Sequence, residues 1–114
     1  MMRIYKILSQ AEWAGAQAAG RFEGSAVDLA DGYIHFSTAA QAQETAAKHF
    51  AGQSDLVVLE IEADDLAGAD LRWEPSRGGA LFPHLYEPLD VGLVREARPA
   101  PLDAAGLPRL GALS

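Results

Sequence analysis

A chain of 114 residues, 49% of them apolar, is long enough for one domain with a buried core. Its net charge of −7, with only nine lysines and arginines, argues against a nucleic acid or an anionic membrane as partner, because either is gripped by clustered basic residues. With no cysteine there is no disulfide framework and no thiolate chemistry.

The first segment, Ile4 to Leu8, reads as a short strand. Ser9 then opens Ser-Gln-Ala-Glu, a capping box with Glu12, and Leu8 and Trp13 fit the staple that accompanies it. The helix is expected to run to about Ala19 and to stop at Gly20. Residues 21 to 31 carry Gly24, Ser25 and two aspartates and read as a loop ending in the Asp31-Gly32 turn.

From Tyr33 the chain alternates. Ile34 and Phe36 form the core face, which puts Tyr33, His35 and Ser37 on the other side. Thr38 to Gln41 is a second capping box, and its helix is expected to reach about Phe50, with Ala39, Ala42, Ala46 and Phe50 inward and Glu44 and Lys48 paired outside. Leu56 to Ile61 has the branched residues of a central strand. Leu71 to Glu74 alternates, Pro75 to Gly79 is a loop, and Leu81 to Tyr86 is an edge strand or extended loop because it holds Pro83. Val91 to Ala97 is the last strand. Residues 1–98 form a single domain on this reading, with 99–114 a tail packing on it or extending from it. The order of elements implies an α+β fold with a mainly antiparallel sheet and two helices in the N-terminal half.

No stretch approaches the roughly 18 apolar residues of a membrane span. The N-terminus also lacks the apolar core of a signal peptide, so the cytoplasm is the expected compartment. Three clusters could carry chemistry. Tyr33, His35, Ser37 and Thr38 lie where a strand meets a helix N-terminus, a spot suited to an anion or polar ligand. Ser37 or Thr38 also serves as the helix cap there, and His35 reads equally as a structural residue. Arg72, Glu74, Ser76 and Arg77 precede a glycine pair and could clamp a phosphate or carboxylate, or could simply pair with one another. His84 and Tyr86 share a parity in an aromatic stretch. The three histidines have no paired metal-ligand spacing, so no metal is expected.

Taken together, Ile4-Tyr5-Lys6-Ile7, Asp31-Gly32-Tyr33-Ile34-His35-Phe36-Ser37-Thr38 with Glu44-Thr45, Leu71-Arg72-Trp73-Glu74 and Leu81-Phe82-Pro83-His84-Leu85-Tyr86 resemble the small bacterial family known as domain of unknown function 952. The resemblance covers the chain to about Ala97. It implies a fold similar to that of the ADP-ribosyltransferases, a split and bent antiparallel sheet around a cleft, and no established activity. In that wider superfamily an early strand carries a histidine where this chain has Lys6, while Ile34-His35-Phe36-Ser37 looks like the later cleft element. The superfamily's glutamate has three candidate counterparts, Glu74, Glu87 and Glu96. On this resemblance His35 and Glu74 are the candidate catalytic residues. Tyr33, Ser37, Thr38, Arg72, Ser76, Arg77, His84 and Tyr86 are the candidate ligand contacts. A small anionic or nucleotide ligand is the implied partner, with NAD the cofactor it would allow and none required. The alternative is a binding or interaction module that has lost the catalytic residues.

Overall fold

The computed structural model describes residues 2–113, the side chain of Arg77 excepted. Four antiparallel strands build the main sheet in the order β4-β1-β5-β9, where β1 is Arg3–Ser9, β4 Ser37–Thr38, β5 Leu56–Glu62 and β9 Val94–Pro99. Strand β5 lies inside, paired to β1 from Ser9 opposite Leu56 to Arg3 opposite Glu62, as its branched residues require. A second sheet has the order β3-β7-β6, with β3 Ile34–His35, β6 Leu71–Pro75 and β7 Leu81–Leu85. Strands β2 (Arg21–Phe22) and β8 (Leu89–Asp90) pair separately. The fold is thus α+β with antiparallel sheets, and no helix among the described residues is long and apolar enough to cross a membrane.

Both faces of the main sheet are buried. On one face Ile4, Leu8, Leu59 and Ile61 pack with Phe22, Ile34, Phe36, Leu85 and Leu89. On the other, Tyr5, Ile7, Leu56 and Val58 pack with Ala42, Ala46, Ala100 and Leu110. Ala100 and Leu110 thus bring the segment after Pro99 onto this core. The backbone of that segment is tied in, with Ala100 N donating to Leu56 O at 2.9 Å and Gly52 N to Gly106 O at 2.8 Å.

Helix α1 (Gln10–Ala19) starts at the expected box, Ser9 N donating to Glu12 Oε1 at 2.9 Å and Glu12 N to Ser9 Oγ at 3.1 Å, and ends at Gly20 with φ 85°. Helix α3 (Ala39–His49) buries Ala42 and Ala46 and carries the Glu44–Lys48 pair at 3.3 Å outside.

Two expectations are corrected. Residues 21–31 are not a plain loop, for they form β2 and a third helix, α2 (Ala26–Asp31), so the N-terminal half has three helices and not two. Ser25 N donates to Asp28 Oδ2 at 2.8 Å, a capping interaction that starts a helix too short to show apolar periodicity. The other correction concerns Pro83, which lies in the central strand of the second sheet and not on an edge. In an antiparallel ladder a residue's N–H and C=O point to the same neighbour. The Pro83 carbonyl accepts from Phe36 N at 3.0 Å, at the residue between β3 and β4 where the chain leaves one sheet for the other. The missing N–H thus falls where the ladder already ends.

Candidate functional site

The crossing at Phe36 opens a cleft of about 460 Å³ between the two sheets. Tyr5, Lys6 and Ile7 of β1 wall one side, Tyr33, His35, Phe36 and Ser37 the base, and Phe82 and His84 of β7 the other side. Thr45 and His49 from α3, Phe50 just after it, Val27 and Asp31 from α2, and Ser76 complete the lining. Strand parity in β3 delivers His35 here, since Ile34 is 2% exposed in the core and its strand neighbour must face the opposite way.

His35 and His84 are directly opposed in the β3–β7 register, with ring centroids 5.5 Å apart. Tyr33 lies against both, stacked on His84 at 4.1 Å and tilted to His35 at 4.6 Å. Each histidine is held by a carboxylate at Nδ1. Asp28 Oδ1 lies 2.6 Å from His35 Nδ1, and Glu74 Oε1 lies 2.8 Å from His84 Nδ1. The Tyr86 hydroxyl donates to the same Glu74 oxygen at 2.6 Å. That bond and the one from His84 hold the Glu74 carboxyl below its ordinary range, and the Tyr86 phenol is pushed up to about 12 chiefly by its bond to Glu74. The Tyr33 phenol is raised by burial and by the nearby Asp31 and Glu74 charges.

Asp28 is the hub of the first arrangement. It is 1% exposed and takes the Lys6 ammonium at 2.8 and 3.0 Å, the backbone of His35 at 3.1 Å and that of Ser25 at 2.8 Å. Burial alone would push its carboxyl up, but the bond from His35 and the Lys6 charge outweigh burial and bring it to about 2. Lys6, 4% exposed, is held below the ordinary lysine value by burial against the opposing pull of Asp28. Sequence reasoning passed over Asp28. The signal was Lys6 itself, which shares the parity of Ile4 and Leu8 on the core face of β1, where a buried ammonium requires an anion.

The remaining candidates are placed as follows. Ser37 Oγ lies 3.0 Å from Thr45 Oγ1 in the middle of α3, and Thr38 N donates to Gln41 Oε1 at 3.0 Å at its start. Arg72 makes two bonds to Asp70, at 2.9 and 3.1 Å, and sits 4.3 Å above the Tyr86 ring. An Arg72–Glu74 pair is therefore not what fixes this loop, because Glu74 is taken by His84 and Tyr86. Ser76 lines the cleft, while Thr38, Arg72, Glu74 and Tyr86 do not. The Arg77 side chain lies outside the described residues. Glu87 accepts from Asp70 N at 3.0 Å and Glu96 pairs with Arg98 at 2.7 Å, both away from the cleft. Among the described residues no group of three or more histidines and carboxylates is arranged to hold a metal.

One glycine guards this geometry. Gly24 has φ 126°, and a Cβ there would lie 2.9 Å from Asp28 Cβ. Gly24→Ala is expected to destabilise the protein by about 1–3 kcal/mol in urea melts, by combined backbone strain and overpacking. A melt unchanged within error would mean that α2 shifts freely.

Residues 7–97 match the family described as protein of unknown function, DUF952. The chain belongs to that family. The resemblance read from Asp31–Thr38 and Leu81–Tyr86 is thereby upheld at the level of the family. No curated protein matches the chain. Among solved structures, the DUF952 chain is similar to protein CC0527 from Caulobacter crescentus. The crystal structure of that protein shows 63% identity over 94% of this chain and 93% of the other, with a TM-score of 0.91. Its solution NMR structure gives 63% identity over 97% and 95%, with a TM-score of 0.86.

Proposed function

We propose that this protein is a small-molecule-binding domain of ADP-ribosyltransferase-like architecture whose cleft takes the planar ring of a nucleotide, with NAD and ADP-ribose the first ligands to test. The observation that carries the reading is the convergence of Tyr33, His35, Ser37, Ser76 and His84 on one cleft of about 460 Å³, floored and walled by Phe36 and Phe82. That volume is of the size used for small ligands, and a mostly apolar wall with a few polar groups is the usual composition of such sites. The two sheets that part at Phe36 support the architectural comparison.

Binding is favoured over ADP-ribosyl transfer by two observations. Lys6, at the position of the superfamily's early histidine, is committed to Asp28. Glu74, Glu87 and Glu96 all sit outside the cleft wall, so none offers a carboxylate to an oxocarbenium-like centre. Isothermal titration with NAD and with ADP-ribose at millimolar concentration is the direct test. Heat of binding is expected with at least one, weakened tenfold or more in His35→Ala; no heat with either would sink the proposal.

A further inference from the structure

The cleft changes character from its floor to its mouth. Phe36, His84 and Phe82 are exposed by only 2%, 3% and 7%, so the inner part is nearly closed to solvent and flat-faced. At the mouth stand Val27, 56% exposed, and Asp31, whose side chain is 47% exposed, both carried by α2. Asp31 Oδ2 lies 3.0 Å from His35 Nε2. Among the described residues the other oxygen, Oδ1, has no hydrogen-bond or ion-pair partner. Lys6, which also lines the cleft, is taken by Asp28 and does not neutralise Asp31. The Asp31 charge is felt inside the cleft, for after burial it is the main influence raising the Tyr33 phenol.

A nucleotide is ordered in the same sense, as a flat ring, then a sugar with hydroxyls, then phosphate. With the ring on the closed aromatic floor, the sugar beside it comes to the mouth and the phosphates extend into solvent. We propose that Asp31 determines the specificity of this cleft, accepting from a ribose 2′-hydroxyl and repelling a phosphate at that position. The ligand class is thereby narrowed to ribonucleotides with a free 2′-hydroxyl. A carboxylate can only accept, so its unused oxygen is satisfied by a hydroxyl donor and opposed by another anion. Acidic residues read the ribose in the same way in dinucleotide-binding sheets of a different architecture. The ring common to NAD and ADP-ribose is adenine, so the hydroxyl concerned is that of the adenine ribose, which carries the extra phosphate in NADP.

This inference rests on the nucleotide reading above and adds which nucleotides the cleft refuses. Isothermal titration of NAD, NADP and the NAD analogue containing 2′-deoxyadenosine tests it. The wild-type protein is expected to bind NADP at least tenfold more weakly than NAD, and the deoxy analogue about threefold more weakly. Asp31→Asn keeps the size of the side chain and removes its charge, so it should bind NADP within about threefold of NAD. A circular dichroism melt that overlays the wild-type curve shows that this variant keeps its fold. A second arm needs no variant. Raising sodium chloride from about 0.05 to about 0.5 M should narrow the wild-type gap between NAD and NADP, because a half-exposed charge is screened by salt. Equal wild-type affinity for NAD and NADP overturns this inference and leaves nucleotide binding standing. A gap that survives both Asp31→Asn and high salt also overturns it, since bulk and not charge then excludes the phosphate. No heat with NAD or ADP-ribose overturns the binding reading itself, and this inference with it.

Discussion

Asp28→Ala is expected to destabilise the protein by about 3–5 kcal/mol, because it removes one partner of a buried ion pair and leaves the other charge uncompensated. The Lys6 ammonium is 4% exposed and has its anion in Asp28. The same substitution strips the acceptor from the backbone N–H groups of Ser25 and His35, so α2 loses its start and β3 its anchor. Asp31→Ala makes a sharp contrast, because Asp31 is half-exposed and its pairing with His35 is of the surface kind, giving a loss below about 1 kcal/mol. Adding Lys6→Met to Asp28→Ala should restore part of the loss by removing the stranded charge. Urea melts of the three variants decide the matter, and an Asp28→Ala protein within about 1 kcal/mol of wild type would refute the account of the hub.

The same carboxylate predicts an acid limb. Its folded value of about 2 lies below the ordinary 3.8, so ionised Asp28 favours the folded state. The contribution, about 2 kcal/mol, is complete above pH ~4 and is lost as the pH falls through about 2. In Asp28→Ala that part of the slope should vanish.

The regular parts of this molecule were legible because periodicity has a physical cause. Alternation from Tyr33 to Ser37 set the face of His35, and the Ser9–Glu12 box set the start of α1. The run Leu56–Ile61 could only be a strand buried on both sides. What escaped was local geometry without a period. Helix α2 has six residues, with Val27 and Leu29 exposed at 56% and 65%, so no apolar stripe announces it. Pro83 argued for an edge until the sheet crossing at Phe36 made its missing N–H harmless. Of the site, the convergence of Tyr33, His35, Ser76 and His84 on one cleft was not readable, because it depends on which strands pair. The role of Asp28 was hidden for the same reason, although the lysine on a core-facing parity was visible from the start.

The segment after Pro99 gave no periodic signal either, and it carries the second large prediction. Leu110 is 3% exposed and packs with Tyr5, Ile7, Ala46 and Leu56 on the face of the main sheet opposite Ile4 and Leu8. Its backbone is held before the leucine, where Arg109 N donates to Pro101 O at 2.8 Å and Gln43 Nε2 to Pro108 O at 3.0 Å, and after it, where Arg98 Nη1 donates to Ala112 O at 3.3 Å. A segment so tied cannot collapse into the space a deleted side chain leaves. Leu110→Ala is therefore expected to cost about 2–4 kcal/mol through lost burial and a residual cavity. Leu29→Ala, on an exposed leucine, should stay within about 0.5 kcal/mol. The consequence reaches the cleft, because Tyr5 and Ile7 belong both to this core and to the cleft wall. Loosening Leu110 should thus weaken binding in the NAD and ADP-ribose titrations as well as lower the urea midpoint. A Leu110→Ala protein with an unchanged midpoint would mean that the tail only covers the sheet and does not complete its core.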